Sequence, residues 1–317
     1  MAYIYDNEKT EYYNPKNAYK CLKKAAESDK EIGLYHLGNS YIYGTCGAPK
    51  KPKKGLKLLM RAAKKGCIDA QLDIAEIYEL GEIVPKNYEK ALKWYKKPAK
   101  GDNNEAKIKL ADLYLKLNEI NKNTKNELKA FKLYNSVAEA GSSEGLYKLG
   151  FCYENGYGIE ENKKIAFGYY KKSAEMQNAN GQFACARFYF NGTGVEKDIE
   201  KAVYWCKAAA KNNHSKAQFK LASFYEKGEN VSKNLKLAAK LYKDAAKAGN
   251  SDAQYQIGIF YQKGKGVPKN MDKAVKWIEA SAEKGNKKAK LWIYLNQKLL
   301  KIKNKINRIN KQIKQMN

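Results

Sequence analysis

The chain repeats itself, and that constrains its fold more than any single motif. The pattern is clearest from Ala253 to Asn286. Ala253, Ile257, Gly258 and Tyr261 mark one face of a helix, at i, i+4, i+5 and i+8. Gly264 and Gly266 end it, because glycine adopts positive φ cheaply, and Pro268 cannot continue it for want of an N–H. A second helix turns Ala274, Trp277, Ile278 and Ala282 to the same core, with Gly285 as its C-cap. Shifted along the chain, the pattern puts the small residue of the first helix at Gly33, Ala70, Ala106, Gly145, Gly181, Ala217, Ala253 and Ala289, at spacings of 37, 36, 39, 36, 36, 36 and 36. Tyrosine stands eight residues further on in seven copies, at Tyr41, Tyr78, Tyr114, Tyr153, Tyr189, Tyr225 and Tyr261. The small residue of the second helix is Ala18, Gly55, Ala91, Ala130, Ala166, Ala202, Ala238 or Ala274, always fifteen residues before the next first-helix position. Length variation is therefore expected in the turn inside a copy, including an insertion around Asn118 to Asn126. A fixed step between units is how a stacked helical repeat behaves.

The pattern A-x-x-x-L-G-x-x-Y-x-x-G-x-G-V-x-x-D/N-x-x-K-A-x-x-W is best matched from Gly181 to Trp205 and from Ala253 to Trp277. It resembles the Sel1-like repeat, a longer relative of the tetratricopeptide repeat. The resemblance implies an all-α fold, a right-handed α-α superhelix (solenoid) of about seven helix-turn-helix repeats with a C-terminal basic helix. Repeats three and six lack the G-x-G turn, and Pro98 sits late in the second helix of repeat two. Residues 1–31 read as an N-terminal cap and partial repeat, 32–288 as the repeat solenoid with copies starting near 33, 70, 106, 145, 181, 217 and 253, and 289–317 as a capping helix running into a basic heptad tail. A chain of 317 residues would ordinarily suggest two domains, but a repeat array is quasi-one-dimensional and one elongated solenoid is expected.

The first residues are apolar and aromatic, yet Asp6 and Glu8 follow at once, without the basic start and apolar core of a signal peptide. No run approaches the roughly 20 apolar residues of a membrane span, and the expected location is cytoplasmic. Cys21, Cys46, Cys67, Cys152, Cys185 and Cys206 recur at no common repeat position and show no CxxC spacing, so they read as small apolar core residues. The Cys-rich Sel1 group linked to β-lactam hydrolysis or binding carries a regular cysteine pair per unit that is missing here, which counts against a hydrolase of that type. Three N-x-S/T sequons, at Asn191, Asn213 and Asn230, read as products of an Asn-rich composition.

No catalytic, cofactor or metal constellation emerges. His36 and His214 have no ligand-spaced partner and lie in no nucleophile motif. The pieces Gly192-Thr193-Gly194 and Gly264-Lys265-Gly266 join helix to helix, whereas phosphate-binding glycine loops follow a strand. Function is therefore sought on surfaces. The resemblance places first helices on a concave face, where residues six and nine beyond the small residue point outward. They are Asn39 and Ile42, Glu76 and Glu79, Asp112 and Leu115, Phe151 and Glu154, Arg187 and Phe190, Ser223 and Glu226, and Ile259 and Gln262. Carboxylates with interspersed aromatics suit a partner protein or peptide with basic and apolar residues; Glu76, Glu79, Asp112, Phe151, Glu154, Arg187, Phe190 and Glu226 are the candidate contacts. The expected function is a non-enzymatic interaction scaffold or adaptor.

The formal net charge is +28, concentrated on second helices and the C-terminus. Nucleic acid is disfavoured as a partner, because only Arg61, Arg187 and Arg308 among 61 basic residues supply the planar forks used in specific recognition. After Ala289 the apolar residues Trp292, Leu295, Leu299, Ile302, Ile306, Ile309, Ile313 and Met316 form a heptad seam in a stretch without acidic residues. Its later part, through Ile302, Ile306, Ile309 and Ile313, suits an acidic partner helix or an anionic membrane surface, an alternative route to polyanion binding.

Overall fold

A computed structural model describes residues 14–299 of the chain. Its contacts divide the chain into two compact units, residues 1–145 with 156–160, and residues 146–155 with 161–317. The helices of the first unit are α1 (Pro15–Glu27), α2 (Glu31–Tyr43), α3 (Pro52–Lys64), α4 (Ile68–Leu80), α5 (Tyr88–Ala99), α6 (Asn104–Asn121) and α7 (Thr124–Glu139). Next comes α8 (Ser143–Asn155), most of it in the second unit. The second unit continues with α9 (Lys163–Glu175), α10 (Ala179–Asn191), α11 (Ile199–Lys211), α12 (Ser215–Lys227), α13 (Leu235–Lys247), α14 (Ser251–Lys263) and α15 (Met271–Glu283), then a helix described over 287–299. The described residues contain no strand, and none of their helices is long and apolar enough to cross a membrane. From α1 to α7, and again from α9 to α15, each helix packs on the next. The expected all-α stack of helix pairs is what each unit contains.

Five of the hairpins are closed by the same backbone bond. The N–H of the residue capping the second helix donates to the carbonyl of the repeat tyrosine: Asn87 to Tyr78 at 2.8 Å, Asn162 to Tyr153 at 2.8 Å, Asp198 to Tyr189 at 3.0 Å, Asn234 to Tyr225 at 2.9 Å and Asn270 to Tyr261 at 2.9 Å. The same capping side chains accept from the N–H three residues on, satisfying one of the helix's orphan donors. Much of the chain's asparagine therefore has a structural task. Lys54, Lys90, Lys129, Lys201 and Lys273, each just before the second-helix small residue, lie over Tyr41, Tyr78, Tyr114, Tyr189 and Tyr261 at 4.6 to 5.6 Å.

Successive pairs are joined with equal regularity. Ala70, Ala106, Ala217 and Ala253 are fully buried where a first helix crosses the preceding second helix. The residue after three of these small positions, and after Gly181, is a buried glutamine: Gln71, Gln182, Gln218 and Gln254 donate to the carbonyls of Ala63, Ala174, Ala210 and Ala246 at the end of that second helix. First helices end in left-handed glycines, such as Gly44, Gly81, Gly192, Gly228 and Gly264. Repeat three differs. Leu117 stands where those glycines stand, and α6 runs on to Asn121, so the insertion lengthens the helix and not the turn.

The second glycine of G-x-G has a further role. A Cβ on Gly266 would lie 2.1 Å from the Leu235 carbonyl oxygen at the start of the preceding second helix, and one on Gly194 would lie 2.4 Å from that of Lys163. Gly266→Ala is expected to lower stability by about 2 kcal/mol or more, since clash adds to left-handed strain. Gly285→Ala, with φ of +86° but nothing within 4 Å, should cost about 1 kcal/mol. Chemical denaturation of both variants checks this; equal costs would show that the close approach is relieved by relaxation.

Candidate functional site

Both units carry carboxylates on their first helices, and these are engaged inside their own unit. Glu79, Glu154 and Glu226 accept from the hydroxyls of Tyr95, Tyr170 and Tyr242, sixteen residues on in the second helix, at 3.2, 2.6 and 3.0 Å. Asp112 accepts from Tyr134. The four tyrosines are almost fully buried and need an acceptor. Cations of the following repeat complete the arrangement. Lys116 reaches Glu79 at 2.8 Å, Lys265 reaches Glu226 at 3.2 Å, and Arg187 grips Glu154 through both guanidinium nitrogens at 2.6 Å. Glu76 forms a solvent-facing pair with Lys109 at 3.2 Å.

In the Glu154–Tyr170 pair the two proton equilibria shift in opposite senses. Burial, reinforced by the neighbouring carboxylates, pushes the hydroxyls of Tyr95, Tyr170 and Tyr242 well above the ordinary phenol range. Burial alone would raise Glu154, but the Arg187 guanidinium and the Tyr170 hydroxyl together hold its carboxyl below the usual value. The three tyrosines are thus fixed donors, and Glu154 is a fixed acceptor, at neutral pH. Such a row orders a surface; it does not present free carboxylates to a ligand.

The missing signal is legible as a coincidence between two positions. Copies with a carboxylate on the first-helix face have tyrosine four residues after the second-helix alanine. The others pair apolar residues or glutamine with Leu59, Cys206 or Ile278. Of the apolar candidates, Phe151 and Phe190 are half-buried on the first-helix face of the second unit. Ile42, expected to face outward, is only 4 % exposed and packs into the helix pair. His214 caps α12, its Nδ1 accepting from the Ala217 N–H at 3.1 Å, and its ring stacks on Phe183. The cysteines Cys185 and Cys206 are buried, and burial pushes both thiols up to about 12. Among the described residues no group of His, Cys, Asp and Glu is placed to hold a metal. The tail residues Ile302, Ile306, Ile309 and Ile313 lie outside the described residues; Leu295 and Leu299, which open that seam, are exposed.

One cleft in the first unit gathers several acidic side chains. Its volume is about 430 Å³, and it lies between the ends of α2 and α4, lined by Tyr43, Asp73, Glu76, Leu80 and Glu82, with Lys50 at one side. Tyr43 is 64 % and Leu80 47 % exposed, high values for large apolar side chains on neighbouring helix ends. Burial raises the Asp73 carboxyl above its ordinary range, against the hydrogen bonds from Asn39, at 3.0 Å, and Tyr35.

Comparison with known proteins agrees with the repeat pattern. The Sel1 repeat family matches at residues 1–30, 32–67, 68–103, 104–142, 143–178, 179–214, 215–250 and 251–286. A Sel1 repeat protein from Oxalobacter formigenes is 27 % identical, with a TM-score of 0.62 over 92 % of this chain and 83 % of that one. The c5321 protective antigen of uropathogenic Escherichia coli is 29 % identical, with a TM-score of 0.46 over 86 % of this chain and 65 % of that one. Helicobacter pylori cysteine rich protein B is 29 % identical over 41 % of this chain and 92 % of its own, with a TM-score of 0.34. No curated protein matches the chain.

The Glu154 pair gives a signed pH dependence. Because its folded-state pKa is lowered, its stabilisation is fully present above the ordinary carboxylate value of 4.5 and is lost as pH falls through the folded value. Glu154→Gln, which keeps an acceptor for Tyr170, should cost about 1–2 kcal/mol at neutral pH. That difference should shrink below the ordinary value, as read by urea unfolding across a pH series. A difference constant with pH would rule out the charge pair as its source.

Proposed function

Because the chain belongs to the Sel1 repeat family, whose helix-pair arrays are commonly protein-interaction scaffolds, we propose that it binds a partner polypeptide on its first-helix face and catalyses no reaction itself. The observation that carries this reading is the first-unit cleft, where Tyr43 and Leu80 stand exposed among Asp73, Glu76 and Glu82. An apolar anchor beside a lysine or arginine suits it. The exposed Glu76–Lys109 pair is worth at most about 1 kcal/mol, so a partner's cation can replace Lys109 at small cost. Glu79, Asp112, Glu154 and Glu226 act differently: exchanging their internal tyrosine partners would leave a buried hydroxyl unpaired. In this reading they shape the first-helix face of their own unit, and Phe151, Arg187 and Phe190 belong to that of the second unit.

The test is a peptide array varying apolar and basic residues, probed with the intact protein and with a Glu76→Lys, Glu82→Lys double variant. The intact protein should retain peptides that combine an aromatic or aliphatic residue with Lys or Arg. The double variant should bind them about tenfold or more weakly, with helicity and thermal midpoint unchanged. Undiminished binding by the variant would remove the cleft from the reading, and absence of any retained peptide would remove the basic segment as its occupant.

A further inference from the structure

Repeat five of the second unit departs from the tyrosine–carboxylate rule at both positions. Phe190 takes the place of the carboxylate, and Cys206 takes the place of the buried tyrosine. Two other copies that lack the tyrosine fill its space with Leu59 and Ile278, both fully buried. A cysteine is too small to do so. The result is a pit of about 170 Å³ between α10, α11 and α12, walled by Phe183, Phe190, Cys206 and Phe224. An apolar cavity of about 150 Å³ stays dry and admits a benzene ring, so this volume suffices for one phenyl group.

The mouth of the pit is cationic. Lys220 holds its ammonium over the rings of Phe190 and Phe224, at 4.4 and 5.1 Å from their centroids. No carboxylate of the described residues comes within ion-pair distance of it. The other cation at the rim, Arg187, is neutralised by its two-point contact with Glu154. One unpaired positive charge therefore stands at the edge of an aromatic pocket, on a chain whose formal net charge is +28.

We propose that this pit is a second docking site, which takes an aromatic side chain of a partner polypeptide whose neighbouring residue is Asp or Glu. The ring enters the space that tyrosine occupies in sister repeats, and the carboxylate pairs with Lys220. The occupant is opposite in charge to that of the first-unit cleft, and the site stands whether or not that cleft binds a basic segment.

The experiment is fluorescence anisotropy of a labelled Glu-Asp-Phe-Asp-Glu peptide with the full chain. Controls are the same peptide with Ala for Phe and a Lys-Lys-Phe-Lys-Lys peptide. The phenylalanine-containing acidic peptide should bind at least about tenfold more tightly than either control. Cys206→Ile, which installs the residue type of Ile278, should fill the pit and weaken binding about tenfold or more, with helicity retained. Lys220→Glu should weaken the acidic peptide and strengthen the basic one. If Cys206→Ile does not fold, Cys206→Leu, which installs the residue type of Leu59, and Lys220→Glu decide the matter. Equal affinity for the Phe and Ala peptides, undiminished binding by a folded pit-filling variant, or no binding at millimolar peptide would each overturn the proposal. Glu76→Lys, Glu82→Lys should leave this binding unchanged, which separates its outcome from that of the first-unit reading.

Discussion

The step between helix pairs depends on what can lie between two backbones. Ala70, Ala106, Ala217 and Ala253 are fully buried where a first helix meets the second helix before it, and nothing larger than a methyl group is placed there. The glutamine after the small residue then reaches a carbonyl at the end of that second helix, which fixes rotation as well as distance. With the step so constrained, side chains one repeat apart come into register. Glu76 meets Lys109 and Glu154 meets Arg187, each pair 33 residues apart. The ion pairs follow from the packing and do not create it, as expected for exposed or half-exposed pairs of modest strength.

The same register explains why tyrosine and carboxylate come and go together. A buried phenol without an acceptor costs about 1–3 kcal/mol, and a carboxylate drawn into a helix pair without a donor costs at least as much. A copy can hold both or neither. Repeats one and seven hold neither and close the space with Leu59 and Ile278. Repeat five also holds neither, yet leaves the space open because Cys206 is small. The departure is informative because its neighbours define what the position normally does.

Periodicity makes the helices, their small crossing residues, the repeat tyrosines and the glycine caps legible from sequence, because each is set by a local steric or apolar requirement. Two kinds of feature escape it. The first is pairing between positions in different helices: Glu154 reads as a free groove carboxylate until Tyr170 is set beside it, and no helical period links the two. The second is where a local rule is broken. Leu117 in place of a capping glycine sends the insertion into α6 rather than into the turn. Asparagine reads as compositional excess and lysine as bare net charge in the sequence, yet Asn87, Asn162, Asn234 and Asn270 cap helices while Lys54, Lys90 and Lys273 lie on tyrosine rings. The first-unit cleft is half visible: Glu76 falls in the groove row, whereas Tyr43 and Leu80 depend on where two helices end.

Net charge is consequently a poor guide to what this protein attracts. Part of the lysine excess is committed to tyrosine rings and part to carboxylates of the neighbouring repeat, so its field at any one place depends on what remains unpaired. Around Tyr43 the charged lining is mostly acidic, and beside Cys206 the one unpaired charge is the ammonium of Lys220. Both places have apolar lining residues, so burial of a side chain would supply attraction at each. The sign of the neighbouring charge would then select the sequence that carries it. On the two proposals made above, one repeat architecture would tell apart two segments of opposite charge through exchanges at only a few positions per copy, while the crossing residues that hold the helices stay the same.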